Sequence, residues 1–347
     1  MTPPIHSAPR PPLRVLLGLG LLAAAALLAP VDAPAQSATE PGAGSAAAAQ
    51  SQHARARSSM RIVGGRDVLE DVDPVSDWNF IASLEDAAGH FCGASLVHPN
   101  IRYDAGGPYF AGWLNFRDGP PPMAITAAHC VFDVNGALLE VGSESPLRVR
   151  AGALDISGSD GWKMPVLAIV PHPGFGTGRT GLENDIAVLI LGPPEGRGKE
   201  LNPIALPRLA DATRYQQVTA AISVNGWGRT SEGGPFSPTL KTVRLPYSDQ
   251  FACQDHHGRI GLDVTEGSFC AGFITGGADS CNADSGGGAI FKRTRTDGFA
   301  QEQNMLVGVV SWGVGCARYG LQGIYTDVLP HVHWLERVAV HNHDLMQ

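Results

Sequence analysis

Cys281-Asn282-Ala283-Asp284-Ser285-Gly286-Gly287-Gly288 places one serine in a glycine-rich loop, and the rest of the chain is most easily read outward from it. A neutral serine hydroxyl is a poor nucleophile and needs a neighbouring base to take its proton. Glycines after the serine let the backbone turn sharply and approach another chain closely. The base is sought upstream. Thr126-Ala127-Ala128-His129-Cys130 carries a histidine, the side chain whose reference pKa suits proton transfer near neutrality. Asn184-Asp185-Ile186-Ala187-Val188-Leu189 sets an aspartate at the head of an apolar run, where a buried carboxylate could hold an imidazole in one tautomer. Each string alone is weak, since the chain has 12 histidines and an aspartate before a strand is often a cap or turn.

Around these strings the sequence reads as all-β. Short apolar runs with β-branched residues fall at 80–84, 94–97, 147–151, 186–191, 220–224, 306–312 and 323–328, mostly bounded by Gly, Pro, Asn or Asp. The 43 glycines and 26 prolines favour many turns over long helices. The best helix candidate is 330–340, where Val332, Leu335, Val338 and Ala339 share a face. Residues 103–122, with Gly106-Gly107-Pro108 and Pro120-Pro121-Pro122, read as a long surface insertion, with an exosite as the alternative.

The front of the chain differs in kind. Arg10 and Arg14 precede an apolar Leu/Ala run at 15–29, too short for a bilayer span of about 20 residues. Ala33-Pro34-Ala35 follows, so 1–35 reads as a signal peptide cut after Ala35. Residues 36–61 are rich in Ala, Ser and Gln, cannot bury a core, and read as a pro-segment. Export fits the six cysteines, all of which follow the leader; spacing alone does not choose among their connectivities. Beyond Arg61 the chain holds 20 basic and 31 acidic residues, a net −11, which argues against nucleic acid as a partner.

Taken with their flanks, the three strings resemble the chymotrypsin-like (trypsin-type) serine peptidase family. The resemblance runs from Ile62 to about Val340. Its markers are Ile62-Val63-Gly64-Gly65, Cys92-Gly93-Ala94-Ser95-Leu96, the three strings, Gly226-Trp227-Gly228, Phe269-Cys270-Ala271-Gly272, Ser311-Trp312-Gly313 and Gly323-Ile324-Tyr325-Thr326. The order His, Asp, Ser matches too. The fold this implies is two antiparallel six-stranded β-barrels with the active site in the cleft between them and a C-terminal helix. The peptidase domain would be 62–347, its first barrel about 62–200 and its second about 201–328.

The resemblance also implies roles. His129 would be the general base and acid, Asp185 its partner and Ser285 the nucleophile. The backbone N–H groups of Ala283 and Ser285 would form the oxyanion hole. Asp279, Ser280, Ser311, Trp312, Gly313 and Gly323 would bind substrate, with the Asp279 carboxylate selecting Arg or Lys. Cleavage after Arg61 would free the Ile62 α-ammonium to pair with Asp284. The implied disulfides are Cys92–Cys130, Cys253–Cys270 and Cys281–Cys316. The implied partners are protein or peptide substrates with Arg or Lys at the cleaved position, and protein inhibitors. The expected product is a secreted monomer, extracellular or periplasmic, made as a zymogen, with no cofactor, no metal and no membrane contact after signal removal.

Three departures stand out. Ala283 occupies a position that is normally Gly, so its methyl is expected to strain or crowd the loop. Gly288 replaces a Pro and is expected to loosen it. Ala153 stands where some members carry a calcium-binding Glu, so no calcium is expected there. His331, His333, His341 and His343 are read as exposed helix-face histidines rather than metal ligands. Two competing classes are weaker. A non-catalytic recognition relative would be expected to lack part of the triad. An α/β-hydrolase esterase would need a Gly-x-Ser-x-Gly elbow that is absent here.

Overall fold

The computed structural model describes residues 64–98, 122–178, 180–217, 219–231, 234–279, 284–294 and 302–344. The expected signal peptide and pro-segment, Arg61, Ile62, Ser280, Cys281, Ala283 and nearly all of the 103–122 insertion lie outside them.

The first half of the chain forms β2 (Ile81–Asp86), β3 (Gly89–Val97), β4 (Met123–Thr126), β5 (Arg148–Ala151), β6 (Gly161–Pro171) and β7 (Ala187–Leu191). They pair antiparallel in the order β5-β2-β3-β4-β7-β6, and β5 pairs with β6 to close a six-stranded barrel. A short β8 (Glu195–Arg197) adds to β6. The second half forms β9 (Ala221–Gly226), β10 (Lys241–Ser248), β11 (Ser268–Ala271), β12 (Gly288–Thr294), β13 (Glu302–Trp312) and β14 (Gly323–Asp327). These run β10-β11-β14-β13-β12-β9, and β9 pairs with β10 to close a second six-stranded barrel. The two-residue β1 (Arg66–Asp67) sits on β10 of this second barrel. Two closed antiparallel barrels are the architecture expected from the sequence.

Closure removes sheet edges, so each strand can turn alternate side chains inward. In β10 Lys241, Val243, Leu245 and Tyr247 are buried while the residues between them are not. The buried Lys241 ammonium is paired with Asp67 on β1, so the charge is neutralised where the chain enters the barrel.

The helix expected at 330–340 is present as a 3₁₀ turn (Leu329–His331) followed by Val332–Asp344. Two further helices, α1 (Leu209–Tyr215) and α2 (Gln250–Gly258), precede it, which makes it α3. Val332, Leu335 and Ala339 are buried in the core of the first barrel, with Val338 packed against them. The helix thus carries the end of the second barrel back onto the first. The histidine expectation needs correction here. His333 and His341 are exposed, but His331 is only 4% exposed and lies in the 3₁₀ turn, not on the helix face. Among the described residues no helix is long and apolar enough to cross a membrane.

Candidate active site

The site is assembled from segments far apart in sequence. His129 lies in a 3₁₀ turn (Ala128–Val131) directly after β4. Asp185 precedes β7, the strand paired with β4, so register brings the two together: Thr126 pairs with Ala187. The Asp185 carboxylate is fully buried. It accepts three hydrogen bonds. His129 Nδ1–H donates to Oδ2 at 2.7 Å, the His129 backbone N–H to Oδ1 at 2.8 Å, and the Ser311 hydroxyl to Oδ2 at 2.5 Å. Such donors offset the desolvation that an ionised carboxylate would otherwise suffer. Committing Nδ1–H to Asp185 leaves Nε2 with its lone pair, the tautomer a general base needs.

Ser285 is brought to the same place by a different route. Its carbonyl accepts from Gly93 N–H at 2.7 Å. Gly93 follows Cys92, which is bridged to Cys130, the neighbour of His129. The Cys130 sulfur lies 3.6 Å from Ser285 O and 3.7 Å from His129 Nε2. One sulfur atom therefore abuts both the serine and the free imidazole nitrogen.

The loop around the serine is tightly packed. Gly286 has φ +80°, and a Cβ there would fall 2.2 Å from Thr126 Oγ1 and 2.4 Å from Gly93 O, so only glycine fits. Gly288 does not behave as a loosening element. It opens β12, paired with Val309, where a Cβ would meet Ser95 Oγ at 2.6 Å and Leu306 Cδ1 at 2.7 Å. Its lack of a side chain accommodates close packing between the barrels. Asp284 is fully buried, and its Oδ1 accepts from Gly228 N–H at 3.0 Å.

The second barrel also brings the expected specificity residues close. Asp279 is buried, and its Oδ2 accepts from Ala317 N–H at 3.2 Å, within the loop that joins Gly313 to Gly323. A Cβ on Gly313 would lie 3.8 Å from Gly323 Cα, so these two glycines face each other across a narrow gap. The Cys253–Cys270 bridge is formed. Cys316 is disulfide-bonded as well; Cys281, its expected partner, is outside the described residues.

Sequence reading missed several groups. Ser311 was expected among the substrate-binding residues; its hydroxyl is committed to Asp185. The Thr326 hydroxyl donates to Asp185 O at 3.0 Å, and Asn184, at φ +52°, meets His331 Nε2 at 3.1 Å. Glu183, just before Asn184, ties its own loop together. Burial works against its charge, but the N–H groups of Thr180, Glu183 itself and Gly178 and the Thr180 hydroxyl outweigh that and hold its carboxyl at about 2. The signal for Ser311 and Thr326 was their place in two of the marker strings. Nothing local marked His331.

Two Cys-His-Cys clusters, at Cys92, His129 and Cys130 and at Cys253, His257 and Cys270, have metal-like spacing. Both cysteine pairs are bridged, and a bridged sulfur offers no thiolate ligand.

Comparison with known proteins agrees with this geometry. The sequence model of the Trypsin family matches residues 122–335. The chain is 33% identical to Trypsin-1 of Astacus astacus over 281 residues, 80% of this chain and 100% of that protein. It is 30% identical to a Trypsin of Phaedon cochleariae over 292 residues, 83% of this chain and 92% of that one. It is 28% identical to Cationic trypsin-3 of Rattus norvegicus over 286 residues, 81% and 91% of the two chains. With two closed barrels, a buried Asp185 bonded to His129, and Ser285 beside it, the chain belongs to the trypsin family and is a serine endopeptidase.

Proposed function

We propose that this peptidase is secreted as a zymogen, is switched on by cleavage after Arg61, and cuts peptide bonds on the carboxyl side of Arg or Lys. The observation that carries the specificity is Asp279. Its carboxylate is buried beside the 313–323 loop, where a cationic side chain would neutralise it and a neutral one would not.

In this reading the Ser285 hydroxyl attacks the scissile carbonyl while His129 Nε2 takes its proton. The new C–O bond pushes the carbonyl electrons onto oxygen, where the N–H groups of Ala283 and Ser285 receive the charge. Collapse breaks the C–N bond, and His129 returns the proton to the departing amine. Water, deprotonated in turn by His129, then hydrolyses the acyl-enzyme. Asp185 keeps Nδ1–H in place and stabilises the imidazolium at both stages. Ser280, Ser311, Trp312, Gly313 and Gly323 would contribute mainly backbone and wall to the substrate groove.

The activation reading is supported from both ends. Gly64, two residues after Ile62, lies against the backbone of 277–278: a Cβ on it would fall 2.5 Å from Gly277 O. Asp284, the intended partner of the new α-ammonium, is buried one residue before Ser285. Arg61 itself suits a pocket holding Asp279, so the enzyme would activate itself.

The test is the hydrolysis of Arg-, Lys- and Phe-amide peptides by the processed protein and by Asp279→Ser. The substitution is expected to cut the preference for basic residues by about 10²–10³-fold. An undiminished preference overturns the specificity reading. Purified Ser285→Ala is expected to remain uncut after Arg61; clean processing of that variant would assign activation to another protease.

A further inference from the structure

Asp185 is a first-barrel residue that is also held by the second barrel. Ser311 bonds its carboxylate and Thr326 its carbonyl. A third connection reaches it through its neighbour. Asn184 adopts φ +52°, a left-handed conformation that asparagine tolerates better than most residues when its amide is bonded locally. That amide is held on two sides, with Nδ2–H donating to Gly174 O at 3.0 Å and Oδ1 lying 3.1 Å from His331 Nε2.

His331 is well suited to hold it. Its ring is buried, and its Nδ1–H donates to Asp327 O at 2.7 Å, which fixes the ring plane and turns Nε2 towards Asn184. The His172 ring stands edge-on against it, 5.0 Å away, and Trp334 meets His172 edge-on at 4.9 Å. His172 accepts from Gly174 N–H at 3.1 Å, so the same histidine pair braces both ends of the Asn184 contact. With Nδ1–H given to Asp327 O and the Asn184 NH₂ given to Gly174 O, the contact between Nε2 and Oδ1 is a hydrogen bond in which a protonated Nε2 donates to the amide oxygen.

We propose that His331 is a positioning residue for catalysis: it clamps Asn184 in its left-handed turn and so aims the Asp185 carboxylate at His129. This rests on the triad reading of His129, Asp185 and Ser285. A buried imidazole anchored at both nitrogens would otherwise only fill the core; here its second nitrogen reaches the residue next to the triad carboxylate.

The test uses the processed full-length enzyme with His331→Phe, Asn184→Gly and the double variant, and His333→Phe as a surface control. Phe keeps the ring volume and removes both bonds; Gly keeps the positive φ and removes the amide. The readouts are the rate at which a fluorophosphonate labels Ser285, located by peptide mapping, and kcat and KM for an Arg-amide substrate. Each single variant is expected to slow labelling and lower kcat about tenfold with KM within about twofold, as loss of alignment rather than of binding. The double variant is expected to be no worse than the weaker single variant, because both changes break one connection. His333→Phe is expected to match wild type. Labelling at the wild-type rate in Asn184→Gly overturns the proposal, and so does a double variant that loses about a hundredfold. Should His331→Phe fail to fold, Asn184→Gly decides the matter alone. Absence of label on Ser285 in the wild-type enzyme overturns the triad reading itself, a result distinct from unchanged variants.

Discussion

Ala283 is two residues before Ser285 in sequence, at a position where the family normally has Gly, and its N–H is one of two groups proposed to receive the oxyanion. If the loop needs φ > 0 there, the methyl costs roughly 1–2 kcal/mol. Ala283→Gly is therefore expected to raise kcat/KM on small amide substrates by several-fold. No gain, or a loss, would mean that the loop already accommodates the methyl. Gly288 shows how such sequence arguments can mislead. Standing in place of a Pro, it was expected to loosen the loop, yet it opens β12, and Ser95 and Leu306 fill the space a Cβ would need. Which residue a glycine accommodates is a tertiary fact and is not written beside it in the chain. The same holds for His331, read with three other C-terminal histidines as surface. A helical wheel cannot reveal that the turn before α3 reaches the Asn184 amide.

At the scale of elements, the triad strings and the apolar runs were legible because each carries a short-range signal. Two of the strands missed by pattern carry contrary signals. β6 contains Pro165 and Pro171 with a register shift between Val166 and Ala168, and β10 mixes Lys241, Arg244 and Pro246 into its alternation. Closed barrels tolerate these because bulges and tilt supply the bends that closure requires. The loop after β5 was read only for what Ala153 lacks. The structure adds what it has instead. Arg150, 2% exposed, donates to the carbonyls of Asp160, Ile156 and Gly158 at 2.6, 2.8 and 2.8 Å, and lies 3.6 Å from Glu85. A guanidinium thus gathers the carbonyls of that loop. Arg150→Met is expected to destabilise the protein by about 3–5 kcal/mol in urea unfolding, since it strands three carbonyls and removes one of the two cations beside the Glu85 carboxylate. A chelator is expected to leave the wild-type Tm unchanged; a fall in Tm on chelation would contradict this account of the loop.

Across the whole molecule, stability should depend on pH through two opposed groups. Burial, with His331 and Arg337 nearby, pushes His172 down to about 4. A depressed histidine contributes stability above its unfolded pKa of about 6.5, and that contribution is lost as pH falls towards 4. Burial also lifts Asp327 to about 6, against the hydrogen bonds from Leu329, Tyr215 and Gln216. A raised carboxylate works in the opposite sense: its contribution is present at low pH and is lost as pH rises through 6. The two slopes partly cancel between pH 4 and 6. Urea unfolding of His172→Asn should therefore show stability rising on acidification in that window, and Asp327→Asn should show it falling more steeply than wild type. Parallel curves for all three proteins would contradict the assignment. The proposed activation predicts a separate alkaline limit: a free α-amino group has a reference pKa of about 7.7–8.0, pairing with buried Asp284 would raise it, and turnover is then expected to fail only well above neutrality.

The catalytic account depends on Ser285 being the attacking group, with His129 and Asp185 behind it. The most direct check is kcat/KM on one Arg-amide peptide for the wild-type protein and for Ser285→Ala, both cut after Arg61 by an immobilised protease that is then removed. A loss on the order of 10⁵–10⁶ is the expected result. Equal activity in the two proteins would contradict the mechanism.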